Sequence, residues 1–323
     1  MVTPRENHTS LARPIGMTGL GRAPVTIPAT ILAALALVSS VIGLLAEGGL
    51  GRQVVRTYRG AEVVLYGEGL YAADAWLQGS GNRGQDLAII LAEVPLLLVA
   101  VVWYRKGGRV APAALIGVLG FFTYFYASMV FGTAQNRLFP MYVAAAALAS
   151  FSLVFVASRM AVAGIAAALP DRPGRLALVT YLLAVAAALV VAWLPGMLAT
   201  AISGDIAEAV GPYTSAATEA LDLGLVVPVA IIAAIGLLRR QASGRLLAFV
   251  MLVINVCIGI LLMAQGVSQL VSGVPMTVGE IIAKMMSFAV LTLVAGGLLV
   301  RMAVARSRVA SDFAGNQLEG STS

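Results

Sequence analysis

Glu93 is the one carboxylate set clearly inside an apolar run, Leu87–Tyr104, and a carboxyl there could hold an ion or pass a proton across a bilayer. Pro95 follows two residues later, and its missing N–H and its ring loosen the hydrogen bonding of the preceding turn. Asp86 stands seven residues before Glu93, a spacing that in a regular helix puts both carboxyls on one face, about 10 Å apart. Gln135, Asn136 and Arg137 add polar groups in the near half, and the far half carries Asp222, Gln265, Gln269, Glu280 and Lys284. An ionisable group at such depth costs on the order of 3 kcal/mol unless paired or hydrated. A Glu93–Lys284 contact across the bundle is therefore expected, in a layer where Arg83, Arg137 and Lys284 neutralise Asp86, Asp222 and Glu280. The expected outer polar cluster is Asp74, Arg83, Asp86, Glu93, Asn136, Arg137, Asp222, Gln265, Glu280 and Lys284, around a cavity open to the outside. Each residue also has a plainer reading. Lys284 can snorkel to headgroups, Asp86, Asp222 and Glu280 suit the positive end of a helix dipole in first turns, and Glu93 can be a structural carboxyl. Tyr124, Tyr126, Tyr142, Trp103 and Trp193 suit an interfacial aromatic belt.

Other chemistries are excluded by residue type. Cys257 is the single cysteine and His8 the single histidine, so an intrachain disulfide, a Cys/His zinc site and bis-imidazole haem ligation are ruled out. A Ser-His-Asp or Cys-His apparatus inside the membrane has no histidine to use, since His8 lies in a polar N-terminal stretch. Cys257 suits packing in mid-helix. No G-x-x-x-x-G-K-[ST] occurs. No paired carboxylates with an evident reaction geometry are present, so an enzyme is the least supported class and no cofactor or metal is expected. The net charge of +6 comes from cations scattered at helix ends, which a membrane accounts for without nucleic acid.

The elements that must position these groups are apolar spans. With 60% hydrophobic and 11% charged residues the chain lies far from a soluble composition. Val25–Ala46, Leu87–Tyr104, Val110–Phe131, Leu138–Ser158, Leu176–Leu194, Leu221–Leu238, Leu246–Gln265 and Ile281–Val300 each approach the roughly 20 residues that cross a bilayer core. The fold class is an all-α polytopic bundle of about eight spans. Residues 25–306 form it, with outer loops 47–85 and 195–220, between cytoplasmic disordered tails 1–24 and 307–323. Val25–Ala46 is too long for a signal h-region and lacks a clean cleavage site, so it is an uncleaved first span. Cations recur before the first span (Arg5, Arg13, Arg22) and after the second (Arg105, Lys106, Arg109), fourth (Arg159, Arg172, Arg175), sixth (Arg239, Arg240, Arg245) and eighth (Arg301, Arg306, Arg308). Those segments are cytoplasmic by the positive-inside bias, which puts both termini inside a cell membrane. The first outer loop breaks the pattern with four arginines, nearly cancelled by Glu47, Glu62, Glu68 and Asp74. In that loop Ala61–Tyr66 is β-prone and Gly67–Leu77 has helical spacing, which predicts a lid on the outer surface. Pro228 makes Leu221–Leu238 the weakest span.

The string Tyr66-Gly-Glu-Gly-Leu-Tyr71, Asp74, Gly81-Asn-Arg-Gly-Gln-Asp-Leu87, Tyr124-Phe-Tyr-Ala-Ser128, Asn136-Arg-Leu-Phe139, Leu221-Asp-Leu-Gly224, Leu237-Leu-Arg-Arg240, Gln265 and Gly279-Glu-Ile-Ile282 with Lys284 resembles a group of uncharacterised bacterial polytopic inner-membrane proteins. The likeness runs over about residues 55–300. It implies an inner-membrane protein of the eight-helix type with shared polar positions, Glu93 not among them, and no activity, cofactor or substrate. The function expected is a small-molecule or ion transporter using the outer cavity. The alternative is a non-catalytic membrane subunit or sensor that contacts a membrane or extracytoplasmic protein partner through its outer loops. Inverted repeats and transporter-type half-helix breaks are not evident in the span spacing.

Overall fold

A computed structural model describes residues 23–57, 59–167, 169, 174–204, 210–277, 279–280 and 285–302. Residues 1–22 and 303–323, which hold the expected tails apart from two residues, and Lys284, which carries half of the expected Glu93–Lys284 pair, lie outside the described residues. Among the described residues, eight helices are long and apolar enough to cross a membrane: α1 Ala23–Leu45, α2 Trp76–Arg105, α3 Ala111–Gly132, α4 Phe139–Ser158, α5 Arg175–Ser203, α6 Ala217–Leu238, α7 Ala242–Val271 and α8 Met285–Met302. Their outward apolar side chains, Leu91, Phe151, Val191 and Leu293 among them, are exposed as lipid-facing residues are. The fold is the all-α polytopic bundle that the sequence predicts.

Several boundaries differ from expectation, among them α7, which runs Ala242–Val271 rather than Leu246–Gln265. α2 begins at Trp76, so residues 76–85 are helix rather than loop. They are too polar for a hydropathy window because Gly79, Ser80, Gly81, Asn82 and Gly84 are buried against protein. A Cβ on Gly81 would meet Gln265 and Gln269, and one on Gly84 would run into the backbone of Ala264, so α2 and α7 are in close contact here. α5 carries Pro195 inside it and runs on to Ser203. α6 starts at Ala217 and crosses in full. The first long loop holds a hairpin, β1 Val54–Arg56 against β2 Glu62–Val64, with Arg56 opposite Glu62. The β-prone run is thus one arm of that hairpin, while the predicted helical stretch is a single 3₁₀ turn, Gly69–Tyr71, leading into α2.

The helices form two four-membered rings. In the first, α1 packs on α2 and α4, and α3 on α2 and α4. In the second, α6 packs on α5 and α7, and α8 is held by Tyr181 of α5, whose hydroxyl donates to the Leu291 carbonyl at 3.3 Å, and by Gly259 of α7 beneath Thr292. The rings meet along a seam where α7 touches α2 and α3, and α6 touches α3. The same helix of each ring is broken in the same way. A π segment, Ile89–Glu93 in α2 and Asp222–Val226 in α6, is followed at once by Val-Pro (Val94-Pro95, Val227-Pro228). Proline cannot donate, and its ring clashes with the carbonyl four residues back; a turn widened by one residue makes room for it. The second ring therefore repeats the first in order, connection and helix break, in the same orientation.

Candidate functional site

The face bearing the hairpin carries most of the expected polar residues, here called the loop face. Asp74 lies there, 1% exposed. Its Oδ1 accepts from the Ala134 N–H at 2.7 Å and the Tyr213 hydroxyl at 2.9 Å, and that hydroxyl accepts from the Ala75 N–H at 3.2 Å. Arg59 donates to the carbonyls of Tyr213 and Thr214. One carboxylate thus ties the first long loop to the α3–α4 turn and to the α5–α6 loop. Burial pushes Asp74 up to about 6, against the two hydrogen bonds, which pull the other way. Burial and the nearby Asp74 charge raise Tyr213 further above the ordinary phenol range.

Asp86 is buried ten residues into α2 rather than in a first turn. Its Oδ2 accepts the Tyr71 hydroxyl at 2.8 Å, it bonds Ser40, and it rests on Gly43 of α1, where any Cβ would collide with it. Burial first, then the Asp86 charge, holds the Tyr71 phenol well above its ordinary range, so it stays a donor. Arg83 lies within electrostatic reach of Asp86 and Glu68 but spends its hydrogen bonds on the Tyr66 hydroxyl at 3.2 Å and the Leu44 carbonyl at 3.0 Å. Gln85 donates to Gln265 at 2.7 Å, and Gln269 to the Leu77 carbonyl at 2.8 Å, which stitches α2 to α7. Asn136 Oδ1 accepts the Leu138 N–H at 2.9 Å, at the start of α4.

The expected shared face of Asp86 and Glu93 does not occur. The π segment between them winds extra residues into its turn, so Asp86 meets α1 while Glu93 turns to Cys257 on α7. Glu93 is 0% exposed, and among the described residues its carboxyl is faced by the Cys257 thiol of α7, a weak donor, with no full hydrogen bond to either oxygen. The 12 residues Val94–Arg105 put it about 18 Å from the far end of α2, near the middle of that span. Asp222, on the other π segment, has both oxygens filled, Oδ1 by the Tyr124 hydroxyl of α3 and Oδ2 by Trp193 Nε1 of α5, each at 2.8 Å.

Two candidates leave the cluster. Glu280 is exposed, and its carboxylate accepts from the Thr277 N–H at 2.7 Å while its own N–H donates to Thr277 Oγ1 at 3.2 Å. That is a capping box, and the bonds hold Glu280 below the ordinary carboxylate range. Arg137 is exposed as well. Of the expected charge neutralisation, Arg83 lies within electrostatic reach of Asp86, but the hydrogen bonds reaching Asp74, Asp86 and Asp222 come from phenols, an indole, a serine and a backbone amide rather than from Arg83 or Arg137. A neutral donor satisfies a buried oxygen without a second desolvated charge. The expected belt residues Tyr126 and Tyr142 are buried, 1% and 2% exposed, and Tyr124 serves Asp222. Sequence reasoning missed Ser40, Gly43 and Tyr213, and placed Tyr71 only in a lid; the one available signal was Tyr71 beside the Asp74–Asp86 acids.

Eight helices long and apolar enough to span a bilayer, among the described residues, make this an integral membrane protein. Compared with known proteins, the chain matches no family model, no curated protein and no solved structure.

Proposed function

We propose that the protein is an ion-handling transporter of the cell membrane in which Glu93 carries a proton across the seam between the two helix rings. The observation that carries this reading is Glu93 itself, wholly buried near the middle of α2 and faced, among the described residues, by nothing stronger than the Cys257 thiol. A lone carboxylate in such surroundings costs several kcal/mol, so the site holds the neutral acid and ionises only when a partner or water reaches it. The adjoining π segment and Pro95 supply a place where the backbone of α2 can rewind. Arginines at the short connections put the loop face outside and both termini in the cytoplasm. The resemblance to bacterial polytopic inner-membrane proteins agrees with that location.

The test uses the full chain in liposomes with a trapped pH-sensitive dye and a potassium diffusion potential. Wild type is expected to admit protons, and Glu93→Gln, equally folded, to fall to the rate of empty liposomes. Equal flux in wild type, variant and empty liposomes overturns the proposal. A second reading, a non-catalytic subunit or sensor bound to a partner through the loop face, is favoured by Leu50 and Val54, which lie outside the spans and are 85% and 65% exposed. Wild type that conducts nothing but is retained by a membrane partner through that hairpin decides for it.

A further inference from the structure

Three polar atoms on the loop side of the first ring are buried and without a hydrogen-bond partner: Asp74 Oδ2, Asn136 Nδ2 and Tyr142 Oη. They belong to one neighbourhood. Asp74 is bonded to Ala134, two residues before Asn136, while Tyr142 is set against Asn136 and Tyr71 at near hydrogen-bonding distance and lies within electrostatic reach of Asp74 and Asp86. A buried acceptor, an amide donor and a hydroxyl that can do either give the three contacts a buried water ordinarily makes, and orphaned buried atoms in a native structure call for such an occupant. We infer that Asp74, Asn136 and Tyr142 bind an ordered water, and that this water joins Asp74 through Tyr142 and Tyr71 to Asp86 as a proton relay leading from the loop face into the first ring.

The relay balances without any further reactant. Protonated Asp74 gives its Oδ2 proton to the water, which passes one of its own to the Tyr142 oxygen. Tyr142 passes its hydroxyl proton to the Tyr71 oxygen, and Tyr71 passes its own along the 2.8 Å bond to Asp86 Oδ2. Every phenol and the water lose one proton and gain one; the net change is one proton moved from Asp74 to Asp86. Asp74 suits the entry position because burial puts its titration at about 6, where it loads and unloads near neutral pH. Ser40 and Gly43 fix the receiving carboxyl on α1. The inference deepens the reading of a proton site at Glu93, since one π segment separates Asp86 from it.

The two ideas are tested apart. X-ray hydroxyl-radical footprinting of the full chain in lipid nanodiscs labels buried side chains that touch bound water. Tyr126 is the internal control: it is as buried as Tyr142 and lies in the same ring, but its hydroxyl is engaged by Ser39 at 3.3 Å. Tyr142 and Tyr71 are expected to label several-fold faster than Tyr126. Equal rates for Tyr142 and Tyr126 overturn the water site. In Tyr142→Phe, labelling of Tyr71 should fall to the Tyr126 level and proton flux should drop; unchanged Tyr71 labelling overturns the relay. If that variant does not fold, the wild-type comparison alone decides. Glu93→Gln should leave the footprint intact, and a wild type that shows the footprint but carries no proton flux faults only the Glu93 reading.

Discussion

Replacing Asp74 by asparagine should erase a pH dependence in how tightly the loop face is closed. In the closed arrangement Asp74 titrates at about 6, whereas a carboxyl freed to water has its ordinary value of 3.8. The closed form therefore binds the proton about a hundredfold more tightly, equivalent to about 3 kcal/mol. The sign follows from the raised value. The stabilisation is fully present below about pH 4, is lost as pH rises to about 6, and changes little above that. Hydrogen exchange of the Ala75 and Ala134 amides reports this directly, because their N–H groups donate to Tyr213 and Asp74. After correction for intrinsic rates, opening measured at pH 7 should exceed that at pH 4 by about two orders of magnitude. Asp74→Asn keeps a neutral acceptor in place and should give a flat profile. Protection that weakens on acidification, or a slope that survives in the variant, would refute the reasoning.

Gly43→Ala should destabilise the protein by about 1–3 kcal/mol, since its Cβ would strike the Asp86 carboxyl beneath the Tyr71 hydroxyl, whereas Gly296→Ala, with open space around it, should leave the thermal midpoint nearly unchanged. Tyr124→Phe removes one of two donors to Asp222 and should cost about 1–3 kcal/mol in a denaturation series, with Asp222→Asn adding much less on top because the two share one contact. Reporter fusions at Ser323 and at Thr214 should fall in opposite compartments; the same compartment for both would end the eight-span topology.

Span length and apolarity made the helices legible in sequence, and a carboxylate alone in an apolar run made Glu93 legible. What stayed hidden was set by packing between helices. Residues 76–85 look like loop because hydropathy scores their glycines and amides as exposed, yet they are buried on Tyr66 and α7. Helical periodicity put Asp86 and Glu93 on one face because it assumes 3.6 residues per turn throughout, and the π segment before Val94-Pro95 breaks that count. Formal charge is visible in a sequence and pairs the acids with Arg83 and Arg137, whereas Tyr71, Tyr124, Trp193 and Tyr213 look like ordinary aromatics until folding aims their O–H and N–H groups. Glu280 was drawn into the cluster by its charge, although Thr277 three residues earlier already marks a capping box.

The proposed proton site is the Glu93 carboxyl of α2, set against Cys257 of α7. Infrared difference spectroscopy of the full chain in lipid, wild type against Glu93→Gln at neutral pH, tests it most directly. A protonated-carboxyl band that vanishes in Glu93→Gln and shifts in Cys257→Ala is the predicted result. A wild-type spectrum with only an ionised-carboxylate difference at Glu93 would show a charged, paired group, and would contradict it.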